Sequence, residues 1–411
     1  MDRKPKNKNL VFLITALLFA AQFIGNYGDY QVAAIPSAIY AAFNLTDMQF
    51  SSIITAPMLP CIFLSIVIGL LVDRFGIPKI VGIFLVLATA GFVLRHFATN
   101  YSVLLISMAL AGCGCMVVNS NIAKLASALY PMDKVGLVVG ILMAGSNAAS
   151  ALAFATTSML PSLRVVFLIP TVASVIVMVL WFIFARESLF TGSRDSAEEQ
   201  ASVADALKLC FRSRSLWLAG LSLFLILGGT MVITNFHVAA LTSLKGYAEA
   251  LAGSFNSVSM VGAIFGSIFL PVFVTKKPEK APLLVFVMLL ICAATTYGML
   301  ALPAAGIYVC SFLNGALRSG IIAVLMMTPV LLPEIGPKIA GTAGGFIITL
   351  QLLGSVVVPT YIIVPLGGGN MTAYFILGTV CFALAAVVCL VYMKTCGAFD
   401  KKTIYNDQPS A

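Results

Sequence analysis

The chain contains 411 residues, of which 60% are hydrophobic and only 9% charged, and its formal net charge is +9. A soluble domain carries roughly 25% charged residues, so this composition, with a mean hydropathy of +1.05, excludes an ordinary soluble globular protein. It is typical of a polytopic membrane protein.

Apolar runs of 18 or more residues recur along the whole chain. Runs of this length are long enough to cross a bilayer as α-helices. We therefore predict an all-α membrane protein with twelve transmembrane helices, at about 10–42, 48–71, 80–98, 102–129, 135–159, 164–186, 215–243, 248–274, 281–301, 304–332, 338–364 and 371–393.

Basic residues are distributed unequally between the two sides of these spans. If the N-terminus is cytoplasmic, 19 of the 24 lysines and arginines lie on the cytoplasmic side, and the outer side holds only Arg95, Arg164 and Lys245. This asymmetry obeys the positive-inside rule and predicts that both termini are cytoplasmic in a multi-pass protein of the cell membrane. Topology and anionic lipid account for the positive charge, so no nucleic-acid partner is predicted.

A hydrophilic interval at 187–214 separates six predicted spans from the next six. It predicts a six-helix N-terminal bundle at 1–186, a cytoplasmic linker at 187–214 with a short amphipathic piece, a six-helix C-terminal bundle at 215–393 and a cytoplasmic tail at 394–411. The stretch "YQVAAIPSAI" from Tyr30 resembles "FHVAALTSLK" from Phe236, 206 residues later. We therefore expect two pseudo-symmetric bundles, with a binding site near the membrane midplane where the halves meet.

The loop between the second and third predicted spans reads "GLLVDRFGIPK". It resembles the loop signature of the major facilitator superfamily at five positions, which are Gly69, Leu71, Asp73, Arg74 and Gly76. It departs from that signature at Ile77 and Pro78, where two basic residues are usual. The resemblance implies the major facilitator fold and a gating role in conformational switching for Gly69, Asp73, Arg74 and Gly76. The alternative is that these residues only end a helix and mark the cytoplasmic side.

A second resemblance concerns the type of transporter. The segment Gly91 to Gly114 is similar to the third-to-fourth span region of bacterial cyanate permeases, which lie near nitrate/nitrite and oxalate/formate carriers in the superfamily. The similarity rests on Arg95 and the glycines at 112 and 114. The predicted fifth span, "GILMAGSNAASALAF", lacks the glycine-proline motif of many drug/proton antiporters. This argues against a typical proton-driven drug exporter.

Charged side chains deep in a span are costly and mark functional candidates. Asp29 is the one acidic residue well inside a predicted helix, and Arg318 is the base near mid-span, roughly 21 Å along the tenth helix. Spans one, four, seven and ten line the central cavity in the superfamily, and the polar residues concentrate on them. The candidate solute-binding residues are Arg318, Asp29, Asn119, Asn121, Asn235, Asn314, Tyr27 and Tyr30.

Each candidate has a functional and a structural interpretation. The Arg318 guanidinium suits a carboxylate or an inorganic oxyanion, or it pairs with Asp29 across the halves. Asp29 and His237 are candidates for coupling a proton, although His237 can also be a hydrogen-bonded core residue. The asparagines can touch solute or join helices.

These observations predict a secondary active transporter that moves a small organic or inorganic anion by alternating access, with a proton or a counter-substrate as partner. The alternative is a proton-coupled exporter of cationic or amphipathic compounds with Asp29 as the recognition charge. The protein is not predicted to be an enzyme, because one intramembrane carboxylate cannot support aspartyl proteolysis and no Cys/His spacing suits a metal. No catalytic residue and no cofactor is predicted, and a monomer is expected to function. A non-transporting sensor of the same fold stays open.

Overall fold

The computed structural model describes residues 8–190, 203–276, 280–332 and 336–396. All regular elements in these ranges are helical, and twelve segments are long and apolar enough to cross a membrane. The predicted fold class is therefore confirmed. The chain divides into two compact units, Met1–Glu198 and Glu199–Ala411.

The first unit contains eight α-helices among its described residues. They are α1 (Lys8–Ala34), α2 (Pro36–Phe43), α3 (Asp47–Thr55), α4 (Leu59–Phe75), α5 (Ile77–His96), α6 (Tyr101–Leu129), α7 (Met132–Thr156) and α8 (Leu163–Phe184). A short 3-10 turn, Ala56–Met58, joins α3 to α4, so these two helices form the second span.

The second unit begins with a short helix, α9 (Val203–Arg212), which is the amphipathic piece expected in the linker. The remaining helices are α10 (Arg214–Lys245), α11 (Glu249–Lys276), α12 (Ala281–Ala301), α13 (Ala304–Leu331), α14 (Gly336–Val357), α15 (Val364–Gly367) and α16 (Met371–Thr395). The predicted linker is described at 187–190 and from 203 onward, and the predicted tail only as far as residue 396.

Proline interrupts three of the predicted spans. The first, expected at 10–42, ends as α1 at Ala34, and Pro36 begins the separate helix α2. Pro57 lies in the 3-10 turn of the second span, and a π-helical segment, Val358–Ile363, containing Pro359 divides the eleventh. Proline lacks the amide donor of a helix and its ring clashes with the preceding turn, so a continuous apolar run need not form a continuous helix.

Both units follow one scheme of helix packing. In the first, α1 packs on α7 and α8, α5 packs on α6 and α8, and α4 packs on α6. In the second, α10 packs on α14 and α16, α12 packs on α13 and α16, and α11 packs on α13. Numbered as membrane spans, the same pairs pack in each unit. The first span packs on the fifth and sixth, the third span packs on the fourth and sixth, and the second span packs on the fourth. This is the packing expected of a duplicated unit.

Glycine allows the second and fourth membrane spans of each unit to approach closely. A Cβ atom on Gly266 would lie 1.8 Å from the Ala316 carbonyl oxygen, and one on Gly112 would lie 2.3 Å from the Pro57 carbonyl oxygen. Both glycines of "GAIFG" make such a contact, because a Cβ atom on Gly262 would lie 2.3 Å from the Phe312 carbonyl oxygen. Gly344 and Gly345 in "GTAGG" make no such contact, because no atom in the described part of the chain would lie within 4 Å of their added Cβ atoms.

Candidate functional site

Asp29, in the second-last turn of α1, forms an ion pair inside the first unit. Its Oδ1 lies 3.8 Å from Nη2 of Arg95, with 13% of the Asp29 side chain exposed and none of the Arg95 side chain. Nη1 of Arg95 also donates a hydrogen bond of 2.8 Å to the Gly28 carbonyl. The guanidinium lies over the rings of Phe92 and Phe167, at 5.0 and 5.4 Å from their centroids. The buried carboxylate therefore has a cationic partner on α5.

Arg95 lies in the last turn of α5, at the end of the third span that the charge distribution predicts to be on the outer side. The residue is only 1% exposed. Since α5 extends to His96, this turn packs against α1 and α8 and carries the guanidinium between them. Sequence reasoning gave Arg95 no site role, because long basic side chains at helix ends usually reach the headgroups.

A second polar group in the first unit joins α1, α6 and α7. The Gln22 amide donates hydrogen bonds to Asn119 Oδ1 at 2.5 Å and to Ser146 Oγ at 2.7 Å. Gln22 is 1% exposed, and its Oε1 has no hydrogen-bond partner in the described part of the chain. Asn119 is an exposed candidate from the sequence, whereas Gln22 and Ser146 were not predicted. This group offers an unused amide acceptor beside an accessible amide.

The other candidates of the first unit make local contacts. The buried Asn121 side chain donates to the Val117 carbonyl of its own helix at 3.1 Å. The Tyr27 and Thr156 hydroxyls share a hydrogen bond of 3.2 Å, and the Tyr30 ring lies 5.9 Å from the ring of Phe154. Both tyrosines are half-buried and contact α7. Their described contacts hold α1 against its neighbour.

Asn314 joins α13 to α12 in the second unit. Its side chain is buried, and Nδ2 lies 3.1 Å from the Cys292 carbonyl, 3.2 Å from Thr295 Oγ1 and 3.1 Å from Thr296 Oγ1. An amide NH₂ group has two hydrogens, so these three acceptors use its full donor capacity. The Oδ1 atom has no partner in the described ranges. Asn314 therefore fixes α13 beside α12 and retains one acceptor.

Arg318 follows Asn314 by one helical turn on the same face of α13. It lies near the middle of this helix, and only 7% of the residue is exposed. Asn235, the candidate on α10, is 1% exposed. A buried base at mid-span is costly in a membrane unless it faces a partner, solute or water.

His237 is held by two neighbouring helices. Its Nδ1 lies 2.7 Å from Asn256 Oδ1 on α11, and its Nε2 lies 3.3 Å from the Met299 carbonyl on α12. A neutral imidazole donates to only one of these oxygens, whereas a charged one donates to both. A half-turn of the Asn256 amide would let its Nδ2, which has no other described partner, donate to a neutral ring. His237 thus contributes to packing among α10, α11 and α12.

The expected gating loop ends α4 and begins α5. Gly76 has a φ of 88°, in the region that favours glycine, and its Cβ position would lie 3.1 Å from Glu187 Oε1. Arg74 is exposed and its guanidinium lies 5.3 Å from the centre of the Phe75 ring. The surroundings of Gly69 and the side chain of Asp73 lie outside the described residues.

Comparisons with known proteins agree on the fold. The sequence model of the Major Facilitator Superfamily matches residues 11–359. A comparison with curated proteins finds no match.

Among solved structures, a bacterial homolog of the human lysosomal transporter Spinster, inward-facing and unoccupied, has a TM-score of 0.79 at 13% identity and covers 98% of this chain and 99% of its own. The occupied inward-facing structure of such a homolog has a TM-score of 0.72 at 15% identity, with 96% of each chain covered. The nucleoside transporter NupG has a TM-score of 0.72 at 14% identity, covering 92% of this chain and 98% of its own.

Proposed function

This chain belongs to the major facilitator superfamily and is a multi-pass membrane transporter, and we propose that its solute is a small organic or inorganic anion. Transport would proceed by alternating access, with a proton or a counter-substrate as the coupled partner. The observation that carries this proposal is the buried guanidinium of Arg318 at the middle of α13.

Arg318 has the chemistry that an anion requires. A guanidinium presents several N–H donors in a planar fork that matches a carboxylate or an inorganic oxyanion. Hydrogen bonds to charged groups are stronger than those between neutral groups, which favours an anion over a neutral solute at this position. The helical turn before Arg318 is held against α12 by Asn314, so the backbone that carries the Arg318 side chain has a defined position.

The ion pair in the first unit weakens the case for a cationic solute. An exporter of cations would use Asp29 as its recognition charge, but Asp29 already lies 3.8 Å from Arg95. A cationic solute would have to compete with a base that is held by the Gly28 carbonyl and by two aromatic rings.

Proton coupling has two candidates in this proposal. Protonation of Asp29 would remove its attraction for Arg95 and so loosen α1 from α5. A change of charge on His237 would alter its bonds to α11 and α12. Either event would link the binding of a proton to the contacts of one helix with its neighbours, so that a proton would favour one conformation over another.

The type of anion is a narrower proposal. The similarity of Gly91 to Gly114 to bacterial cyanate permeases supports small oxyanions or carboxylates. One specific observation favours a second class: the amides of Gln22 and Asn119 would suit a neutral, hydrogen-bonding solute such as a nucleoside, which the similar transporter NupG carries.

A thermal-shift screen of the purified, detergent-solubilised protein tests the proposal. The panel contains small anions (cyanate, nitrate, formate, oxalate), organic cations, amphipaths and nucleosides. A ligand specific for the folded state at 100 times its Kd stabilises by about 2.7 kcal/mol. We expect one of the anions to stabilise the wild type and to lose its effect in Arg318→Gln, with partial retention in Arg318→Lys.

The matched control is Arg164→Gln, which removes an exposed arginine at the start of α8. Each shift is measured against the same variant without ligand, so lost stability is not mistaken for lost binding. Stabilisation by cations or amphipaths that survives Arg318→Gln would overturn the proposal in favour of the exporter. Stabilisation by a nucleoside alone would overturn it in favour of a neutral solute.

A further inference from the structure

A group of exposed aromatic and basic side chains lies where α9 meets α10. We call it the junction patch, and its members are Lys208, Leu209, Phe211, Arg212, Arg214 and Trp217. The exposed fractions are 43% for Leu209, 59% for Phe211 and 42% for Trp217. Large apolar side chains therefore lie open beside three bases on one short stretch of chain.

The junction patch is held rigidly on the second unit. Cys210 is fully buried in the middle of the patch sequence, and α9 packs on α14. The rings of Phe211 and Trp217 lie 6.2 Å apart, and both lie against Phe346 of α14 at 5.3 and 5.2 Å. Trp217 Nε1 also donates to the Phe211 carbonyl at 3.0 Å. The rings are thus exposed in a fixed arrangement.

The charge of the patch is positive and uncompensated within the described part of the chain. None of Lys208, Arg212 and Arg214 forms an ion pair there with a carboxylate. All three belong to the face that the positive-inside rule assigns to the cytoplasm. That face meets the membrane leaflet that is rich in anionic lipid.

We infer that the junction patch binds anionic phospholipid headgroups of the cytoplasmic leaflet. The rings of Phe211 and Trp217 enter the boundary between headgroups and acyl chains, as aromatic residues do on helices that lie in the interface. Lys208, Arg212 and Arg214 then contact the lipid phosphates. A zwitterionic lipid contacts the two rings equally well, but because its net charge is zero it attracts the three bases less strongly. This inference does not depend on the proposed anion.

The chain has two tryptophans, which makes the patch measurable. In the Trp181→Phe variant, Trp217 is the one remaining indole. The protein is placed in nanodiscs of unlabelled phosphatidylcholine that contain a small fraction of brominated lipid, either phosphatidylglycerol or phosphatidylcholine. Bromine quenches a nearby indole, so quenching reports which lipid lies against Trp217. Should Trp181→Phe not fold, the signal difference between wild type and Trp217→Phe gives the same quantity.

We expect brominated phosphatidylglycerol to quench Trp217 at a several-fold lower mole fraction than brominated phosphatidylcholine. A basic residue near an anionic membrane is worth about 1 kcal/mol, or roughly five-fold in binding. The preference should therefore fall stepwise in Lys208→Gln, Arg212→Gln and Arg214→Gln and weaken at high salt. Lys134→Gln, which removes an exposed base from the first unit, should leave it unchanged.

Two results would overturn the inference. Equal quenching by both brominated lipids would mean that the rings meet the bilayer without selecting a headgroup. A preference that survives the triple glutamine variant and high salt would mean that the bases do not bind phosphate. The reference indole is Trp181 of the first unit, which is 1% exposed. In the Trp217→Phe variant, the two brominated lipids should quench Trp181 equally.

Discussion

In the first half of the molecule an ion pair joins α1 to α5, whereas in the second half the imidazole of His237 on α10 contacts an amide of α11 and a backbone carbonyl of α12. The repeat offset of 206 residues aligns Asp29 with Asn235 and Gln31 with His237. The first half thus has a charge where the second has an amide, and an amide where the second has an imidazole. The helix packing is the same in both halves. The arrangement of the helices is therefore repeated, whereas the polar residues at equivalent positions are not. The solute chemistry must therefore be argued for each half separately.

The largest expected effect comes from breaking the ion pair of the first half. Arg95→Met leaves Asp29 buried without its cationic partner. Removing one member of a buried pair typically costs about 3–5 kcal/mol, so we expect a large fall in thermal stability of the purified protein. Asp29→Asn should cost less, and adding it to Arg95→Met should recover part of the loss.

The control for this comparison is Arg164→Met, which removes an exposed arginine and should change stability by less than about 1 kcal/mol. If Arg95→Met is as mild as this control, the ion pair does not hold α1 to α5. The contrast between an ion pair at α1 and an imidazole–amide contact at α10 would then have no energetic meaning.

The next effect concerns a feature that the two halves share. Gly112→Ala and Gly266→Ala each place a methyl group within 2.3 Å of a backbone carbonyl oxygen on the neighbouring helix. Overpacking of this kind typically costs about 1–3 kcal/mol, and we expect similar losses of thermal stability in both halves.

Gly345→Ala is the matched control, because no atom of the described residues lies within 4 Å of its added Cβ. Alanine is the better helix former by up to about 1 kcal/mol, so this variant should be neutral or stabilised. A loss in Gly345→Ala equal to that in Gly266→Ala would show that close approach is not the reason for glycine.

The sequence was sufficient to predict the transmembrane helices but insufficient to predict the polar contacts between them. Long apolar runs and basic loops predict twelve helices and their approximate ends, because both follow from the thickness and charge of the membrane. The partner of Asp29 could not be found in this way. Arg95 lies 66 residues later at a helix end, where a long base usually reaches the interface. Only the packing of α5 against α1 and α8 buries it.

Neutral polar residues and proline breaks were missed for related reasons. Gln22 carries no charge, so a search for buried charges does not select it. Its isolation in the apolar run of α1 was the signal that could have found it. Proline within an apolar run was the signal for the breaks at Pro36 and Pro57, since proline lowers the helix preference without lowering the hydropathy that defines a span.

A smaller effect is expected at the contact between His237 and Asn256 in the second half. His237→Phe removes both bonds to the ring and leaves Asn256, which is 2% exposed, without this partner. An unsatisfied buried polar group costs about 1–3 kcal/mol. Adding Asn256→Leu replaces both polar partners by apolar groups and should restore part of the stability in the same unfolding assay. A double variant that is less stable than either single variant would show that the two residues act independently.

The smallest stability effect is expected at Gln22, where structural and solute-binding interpretations predict different measurements. Gln22→Met removes the bonds to Asn119 and Ser146, but Asn119 is exposed and regains water, so the loss should stay below about 1 kcal/mol. If Gln22 only joins α1 to α6 and α7, the Kd of the solute found in the screen will not change. If Gln22 instead positions the exposed Asn119 amide for the solute, as we expect, the Kd should rise several-fold at nearly constant stability. Asn121→Leu is the control on α6, because its amide donates within its own helix and its loss should alter neither quantity.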